Sequence, residues 1–474
     1  MNGIFGADGW LNAAMTGIVN ILWSYLLIWL LIGCGIWFTV RTRFVQFRMV
    51  GEMFRLLGDS AVSGAGKKHI SSFQAFAVSV ASRVGTGNLA GVATAIAIGG
   101  PGAVFWMWFI ALIGAATAFV ESTLAQLFKQ PDGDAFIGGP AYYIKKGLHC
   151  KWMANLFAVL LMIAFGVACN LAQSNTICGA MREAFGVPPV AMGIAITVLT
   201  LVIVFGGIQR IAKVASVIVP VMAIGYFLIA AYVVVVNYRL IPGVVHVIFA
   251  NAFGFGPAAG GGVGAAIMMG IRRGLFSNEA GEGSAPNAAA TASTSHPVKQ
   301  GLIQSLGVFT DTLLVCSCTA FVILISGLYK DSSLNGIVLT QNALRSEIGP
   351  AGPVFIAIAI LLFAYSTIIS AYYYGEANLR FLTRSRRALL AYRIVAGGGI
   401  VMLGAVASLE IVWNTVDLCM ALNTACNLVA IVALGKFAFR LLDDYRLQKR
   451  RGIREPGFHR SQLPEIEKDI DCWK

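Results

Sequence analysis

Two polar segments interrupt long apolar runs, and they hold the residue types that could do chemistry. The first is Val84-Gly85-Thr86-Gly87-Asn88. The second runs about 190 residues later from Gly274 to Asn287 and includes Phe276, Ser277, Asn278, Glu279, Gly281, Glu282, Gly283, Ser284 and Pro286. Gly, Asn, Ser and Pro within an apolar helix leave backbone amides and carbonyls unpaired. At membrane depth that is tolerated only where the backbone is buried in protein or lines a wet cavity. One such cluster could equally be a close contact between helices rich in small residues. Two of them, half a chain apart, point instead to the binding site of a transporter. The spacing Gly85-x-Gly87-x-x-x-Gly91 is not a dinucleotide fingerprint, and no strand precedes it.

The elements that must position these segments are membrane helices. Of 474 residues, 57% are hydrophobic and 12% charged, with a mean hydropathy of +0.76, whereas a soluble domain carries roughly 25% charge. The length accommodates about ten to twelve spans and no large soluble domain. Residues 1–16 hold no Lys or Arg, so the positive start of a secretory signal is missing. Hydropathy and helix breakers give eleven spans: 17–40, 71–99, 102–128, 152–181, 187–207, 211–236, 256–292, 300–328, 352–379, 388–408 and 412–439. If the first runs outside to inside, the inner segments and adjoining span ends hold 27 of the 35 Lys and Arg, and the outer segments hold 4. That asymmetry follows the positive-inside rule and places the N-terminus outside and the C-terminus in the cytoplasm. The net charge of +13 is thereby accounted for by topology, without a nucleic-acid partner.

The chain then divides into an external N-terminus (1–16), an extra helix (17–40), two sets of five spans (71–236 and 256–439) and a cytoplasmic tail (440–474). Each set opens on one interrupted span. Because five is odd, the two sets enter the membrane in opposite directions, which is an inverted repeat. The tail, with Pro456 and Pro464 and no apolar period, reads as partly disordered. The nine cysteines are odd in number, and seven fall in apolar runs, so they read as packing residues rather than a disulfide framework.

Four stretches carry a family resemblance: SRVGTGNLAGVATAIAIGGPGAVFWMW (Ser82 to Trp108), GGPAYYI (Gly138 to Ile144), RRGLFSNEAGEGSAPNAAA (Arg272 to Ala290) and YYGE (Tyr373 to Glu376). In this order, across roughly residues 15–445, they resemble the alanine or glycine:cation symporter family. The resemblance implies an all-α membrane protein with eleven transmembrane helices, the first of them additional to a five-plus-five inverted-repeat core of the leucine-transporter (LeuT) type with two discontinuous helices. It further implies sodium-coupled uptake of small neutral amino acids, among them alanine, glycine, serine or D-alanine. The setting it implies is a prokaryotic plasma membrane, the inner membrane in a Gram-negative cell.

Site residues follow from the residue chemistry and this resemblance together. Gly85, Thr86, Gly87 and Asn88 can present backbone N–H groups to a substrate carboxylate at the start of a half-helix. At the second break Phe276, Ser277 and Asn278 can take the ammonium and cap a small side chain. The resemblance adds Gln173, whose amide could instead make an interhelical bond. For the sodium ion, a hard cation that selects oxygen, it implies the carbonyls of Ala81, Val84 and Phe363 with the hydroxyls of Ser366 and Thr367. Without the resemblance, those hydroxyls could simply bond their own helix.

Ionisable residues within spans default to function. Here they are Arg83, Glu121, Arg272, Arg273, Glu279, Glu282, Asp311, Glu376 and Asp417. Opposing signs also permit internal ion pairs. Glu279 lies inside the break, and it stands with Glu121 and Glu376 as a candidate gating or coupling charge. One departure from the family is Ala371, where members often have the tryptophan of GWSYYGE; it is expected to enlarge the pocket or move its wall. An enzyme is the weaker alternative, because all five histidines (His69, His149, His246, His296 and His459) fall outside the spans and no metal-ligand spacing occurs. Proton coupling on the same fold is the other alternative, with Glu279 or Glu121 as carrier.

Overall fold

A computed structural model describes residues 10–63, 70–133, 135–254, 262–407 and 409–473. Residues 1–9 of the segment 1–16 expected to be external, and the start of the seventh apolar run at 256–261, lie outside the described residues. Among those described, eight helices are long and apolar enough to cross a membrane. In chain order the helices used below are α1 (Ala14–Arg41), α2 (Val50–Ser63), α3 (Ser72–Arg83), α4 (Gly87–Gly99), α5 (Ala103–Leu127), α6 (Pro140–Gly147), α7 (Lys151–Phe185), α8 (Pro189–Val204), α9 (Gly207–Val236), α10 (Ile241–Ala252), α11 (Gly262–Asn278), α12 (Ala285–Ala289), α13 (Pro297–Ser326), α14 (Gly336–Ile348), α15 (Ala351–Leu382), α16 (Arg386–Val406) and α17 (Leu409–Arg450). A short antiparallel ladder joins β1 (Gln130–Asp132) to β2 (Ala135–Ile137) and pairs Pro131 with Phe136.

The second and seventh apolar runs are both interrupted, as their composition requires. The first break begins where Val84 leaves the helix (φ −81°, ψ 86°), after a Ser71 capping box has started α3. The second break is sharper. Glu279 takes a left-handed conformation (φ 56°), which is uncommon for a residue with a Cβ, and Gly281 and Gly283 continue at positive φ. Pro286 then falls in the first turn of α12, where a missing N–H costs nothing. The two breaks abut: a Cβ on Gly87 would stand 3.1 Å from the Cα of Ser277. Glycine leaves room for this approach, since a Cβ would crowd Ser277 and the Phe276 ring.

The tail departs from expectation. Helix α17 continues to Arg450, and the chain then folds back on the protein. The Phe458 N–H donates to the Ser295 carbonyl at 2.9 Å, Lys146 pairs with Asp471 at 2.5 Å, and the buried indole of Trp473 donates to the Gln126 carbonyl at 3.0 Å. Phe458, Leu463, Ile466, Ile470 and Trp473 are all buried. They are spaced along loops and 3-10 turns, so they follow neither the helical nor the strand period by which sequence reveals order. Nearby, α2 is fastened to α17 through Glu52. Burial alone would raise this carboxyl, but hydrogen bonds from Arg55 and Tyr445 prevail and hold it at about 2.

Candidate functional site

At the first break Asn88 acts as a hub. Its side-chain oxygen accepts from the Gly85 N–H at 2.9 Å, while its amide nitrogen donates to Asp311 Oδ1 at 2.6 Å and Ser277 Oγ at 3.0 Å. One side chain therefore joins both breaks to α13. Asp311 sits in a π-helical turn, Phe309–Cys316, and its second oxygen accepts from Ser277 at 2.7 Å and Thr312 at 2.8 Å. Similar π turns occur at Gly87–Gly91 and Ala164–Cys169, and all three border the same site, a recurrent place for such bulges.

Two of the expected amide donors are engaged within the protein. The Gly85 N–H is held by Asn88, and the Thr86 N–H donates to Gln173 Oε1 at 3.0 Å. Gln173 thus crosses from α7 to the break itself and is not an interhelical bond elsewhere. Asn278 is placed differently from the expectation. Its oxygen accepts from the Ala280 N–H at 3.0 Å and its nitrogen faces Thr312 at 3.3 Å, so it closes the turn of the break.

The hydroxyl of Thr367 donates to the Ala81 carbonyl at 2.8 Å and also lies 3.1 Å from the Phe363 carbonyl. Ser366 donates to the same Phe363 carbonyl at 2.8 Å. Four of the five oxygens named for sodium therefore converge between α15 and the end of α3, and Val84, the fifth, stands at that end where the helix stops. The helix-internal bond of Ser366 is also present, so its hydroxyl serves its own backbone here.

A small cavity of about 10 Å³, room for about one water, lies against the breaks. Its wall includes Gly87, Gln173 and Phe276 from the expected set, with Ser82, Arg83, Glu279 and Glu282. Ala164, Phe165, Cys169, Val416 and Met420 complete it. These five carry no signal in the sequence, because lining and lipid-facing positions look alike in an uninterrupted apolar run. Ala371 is buried but does not line the cavity, so the departure there leaves this wall untouched.

The charges fall into three groups. Glu279 accepts from Ser82 at 2.6 Å and Ser284 at 2.5 Å, and Glu121 accepts from the Gly281 N–H at 3.1 Å and Asn427 at 2.9 Å. Both carboxylates hold the second break in shape. Glu282 Oε1 is buried without a hydrogen-bond partner among the described residues, and Arg83 reaches only the Gln304 carbonyl at 3.0 Å. The second group contains Glu376, which lies apart from the breaks and pairs with Arg380 at 2.7 Å and Arg393 at 3.5 Å.

The third group sits next to Phe276. The ring of Trp413 meets Phe276 edge-on at 5.0 Å, and the Arg273 guanidinium lies 4.7 Å from the Trp413 ring. Arg273 donates to both oxygens of Asp417 at 2.6 and 2.5 Å, and Arg272 reaches the same carboxylate at 2.5 Å. The ring of Trp23, from α1, lies under the Arg272 guanidinium at 5.6 Å, and its indole N–H donates to the Asp417 carbonyl at 3.1 Å. Removing one partner of a buried ion pair costs about 3–5 kcal/mol. Asp417→Asn, which strands two guanidinium groups, is therefore expected to lower the unfolding temperature and to abolish transport. Thermal unfolding of the purified protein tests this, and a variant as stable as the parent would refute it.

The family model described as the sodium:alanine symporter family matches residues 8–460. The probable sodium/glutamine symporter GlnT of Bacillus subtilis (strain 168) is 52% identical over 97% of this chain and 95% of its own length. The amino-acid carrier protein AlsT of the same organism is 48% identical over 98% of both chains. Among solved structures, MhsT in complex with L-phenylalanine superposes with a TM-score of 0.57 at 14% identity, covering 85% of this chain and 93% of that one. That last likeness concerns the fold.

Proposed function

Since the chain belongs to the sodium:alanine symporter family, and so is a multi-pass membrane carrier for cation-coupled amino-acid transport rather than an enzyme, we propose that it carries alanine or a comparably small neutral amino acid into the cell together with sodium by alternating access. The observation that carries this reading is the meeting of the two breaks beside Thr367, which itself bridges the Ala81 and Phe363 carbonyls. Sodium displaces the hydroxyl hydrogen of Thr367 from those carbonyls and is held by Ala81, Val84, Phe363, Ser366 and Thr367. The substrate carboxylate takes over the Thr86 N–H from Gln173 and faces Gly85 to Asn88. Phe276 covers the side chain, with Ser277 beside it. Asn278, Glu121 and Glu279 keep the second break in its shape.

In this reading the fold is an extra helix followed by two five-span repeats of opposite orientation, with Met1 outside and Lys474 inside. The Arg272, Arg273 and Asp417 cluster then closes the site from outside. A zwitterionic amino acid has no net charge, so the membrane potential acts only on the ion. One sodium supplies about 2.3 kcal/mol per 100 mV, or roughly fiftyfold accumulation at about 1.4 kcal/mol per decade.

Two observations favour variants of this reading. The name of the 52% identical relative points to glutamine as cargo. Glu282 Oε1, buried without a hydrogen-bond partner among the described residues, favours a proton as coupling ion, since an unpaired charge at this depth is costly. One experiment separates them: alanine uptake into sealed proteoliposomes under an imposed sodium or proton gradient, competed by glycine, serine, D-alanine and glutamine. Sodium-dependent accumulation, competed by the small amino acids, is expected. Equal accumulation without sodium would overturn sodium coupling, and competition by glutamine alone would reassign the cargo.

A further inference from the structure

A pocket of about 770 Å³ opens where β1, α6 and the turn between α15 and α16 meet, well away from the breaks. Lys145, Lys146, Arg380, Arg384 and Arg386 line it, against a single carboxylate, Asp132, among the described residues. Some of that charge is committed. Arg380 pairs with Glu376 at 2.7 Å and Asp132 at 3.4 Å, and Lys146 pairs with Asp471 at 2.5 Å. Lys145, Arg384 and Arg386 have no carboxylate partner among the described residues. Lys145 lies 5.3 Å from the ring of Phe381, which holds its ammonium at the pocket wall. Three cations from two elements thus line the pocket with no carboxylate paired to them among the described residues.

The surroundings narrow the ligand. Leu389 lines the pocket, and beyond it α16 continues outward with Leu390, Ile394 and Val395 exposed. Tyr392 on the same helix packs into the close contact between Gly166 and Gly375, which fixes α16 against α7 and α15. The exposed face of α7 likewise presents Trp152, Leu156, Val159 and Ile163. A basic pocket at the foot of an apolar, outward-facing strip matches a ligand with an anionic head and an apolar tail. Basic pockets between helices on the cytoplasmic side suit such head groups.

We propose that Lys145, Arg384 and Arg386 bind the phosphate of an anionic phospholipid of the inner leaflet, its acyl chains lying along α16. A free phosphate shares the head-group chemistry but has no use for the apolar strip. The binding is independent of which amino acid or ion is carried, and its test needs no transport. The unfolding temperature of the full-length protein in detergent is measured with added phosphatidylglycerol, phosphatidylcholine or inorganic phosphate. Phosphatidylglycerol is expected to raise it by several degrees, and the other two to leave it unchanged.

The triple variant Lys145→Gln, Arg384→Gln, Arg386→Gln is expected to lose most of that rise while starting from the parent's temperature, because all three side chains are exposed. The control Arg451→Gln, Arg454→Gln, also at exposed basic positions, is expected to keep it. An undiminished rise in the triple variant, or an equal loss in the control, would overturn the site. An equal rise with inorganic phosphate would overturn the lipid as its ligand.

Discussion

Replacing Asn88 by Ala is expected to reduce amino-acid uptake by at least about a hundredfold while the protein remains folded. The side chain has two separate duties. Its oxygen holds the Gly85 N–H at 2.9 Å, and its nitrogen joins Asp311 at 2.6 Å to Ser277 at 3.0 Å. Truncation leaves the buried Asp311 Oδ1 without its donor, a loss of about 1–3 kcal/mol or more for a charged group, and leaves the Gly85 N–H to the Arg83 carbonyl alone at 3.0 Å; every 1.4 kcal/mol is about tenfold in an equilibrium.

The cost falls on the two breaks, whose relative placement forms the proposed site. The Gly85 N–H, left to the Arg83 carbonyl alone, loses the hold that in the proposed site presents it to a carboxylate. The surrounding helices keep their own contacts, so the unfolding temperature should fall far less than transport. Asn88→Asp keeps the acceptor but sets a second carboxylate against Asp311, and it is expected to fail as well. Uptake and thermal unfolding measured on the same preparations test the idea. Near-normal uptake by Asn88→Ala would remove the first break from the binding site.

The second large effect is expected at Thr367. Thr367→Val keeps the volume but removes the oxygen that stands 2.8 Å from the Ala81 carbonyl and 3.1 Å from that of Phe363. With one of the five proposed ligand oxygens gone, the sodium concentration giving half-maximal uptake should rise about tenfold, equivalent to about 1.4 kcal/mol. Uptake at saturating sodium should be largely retained. Thr367→Ser, which restores the hydroxyl, should return the sodium requirement towards that of the parent. The measurement is initial uptake rate against sodium concentration. An unchanged sodium dependence in Thr367→Val would exclude this hydroxyl from the ion site.

Much of the architecture could be read from the chain because the membrane imposes strong and local rules. Every expected span within the described residues meets a helix, since twenty apolar residues in lipid have no other way to satisfy their backbone. The breaks at Gly85 to Asn88 and Gly274 to Asn287 were legible for the complementary reason: polar and flexible residues at that depth are costly unless something uses them. The tail was misread because its order comes from Trp473, Ile470 and Phe458 burying themselves against distant loops, a contact that leaves no period in sequence.

What the sequence alone determined is where the apolar ladder is interrupted, and how unevenly the basic residues divide between alternate connecting segments. Both depend on residue type and neighbours along the chain. Only the tertiary structure decided what the interruptions face. It brought Asp311 to Asn88 across 223 positions, set Gln173 on the Thr86 N–H, and took Glu376 away to an ion pair with Arg380. It also sorted the nine ionisable residues of the spans into a break-shaping group, a remote pair and an ion-pair cluster around Asp417. The physical reason is that a buried charge or amide is defined by its partners, and partners on other helices are chosen by packing rather than by distance in sequence.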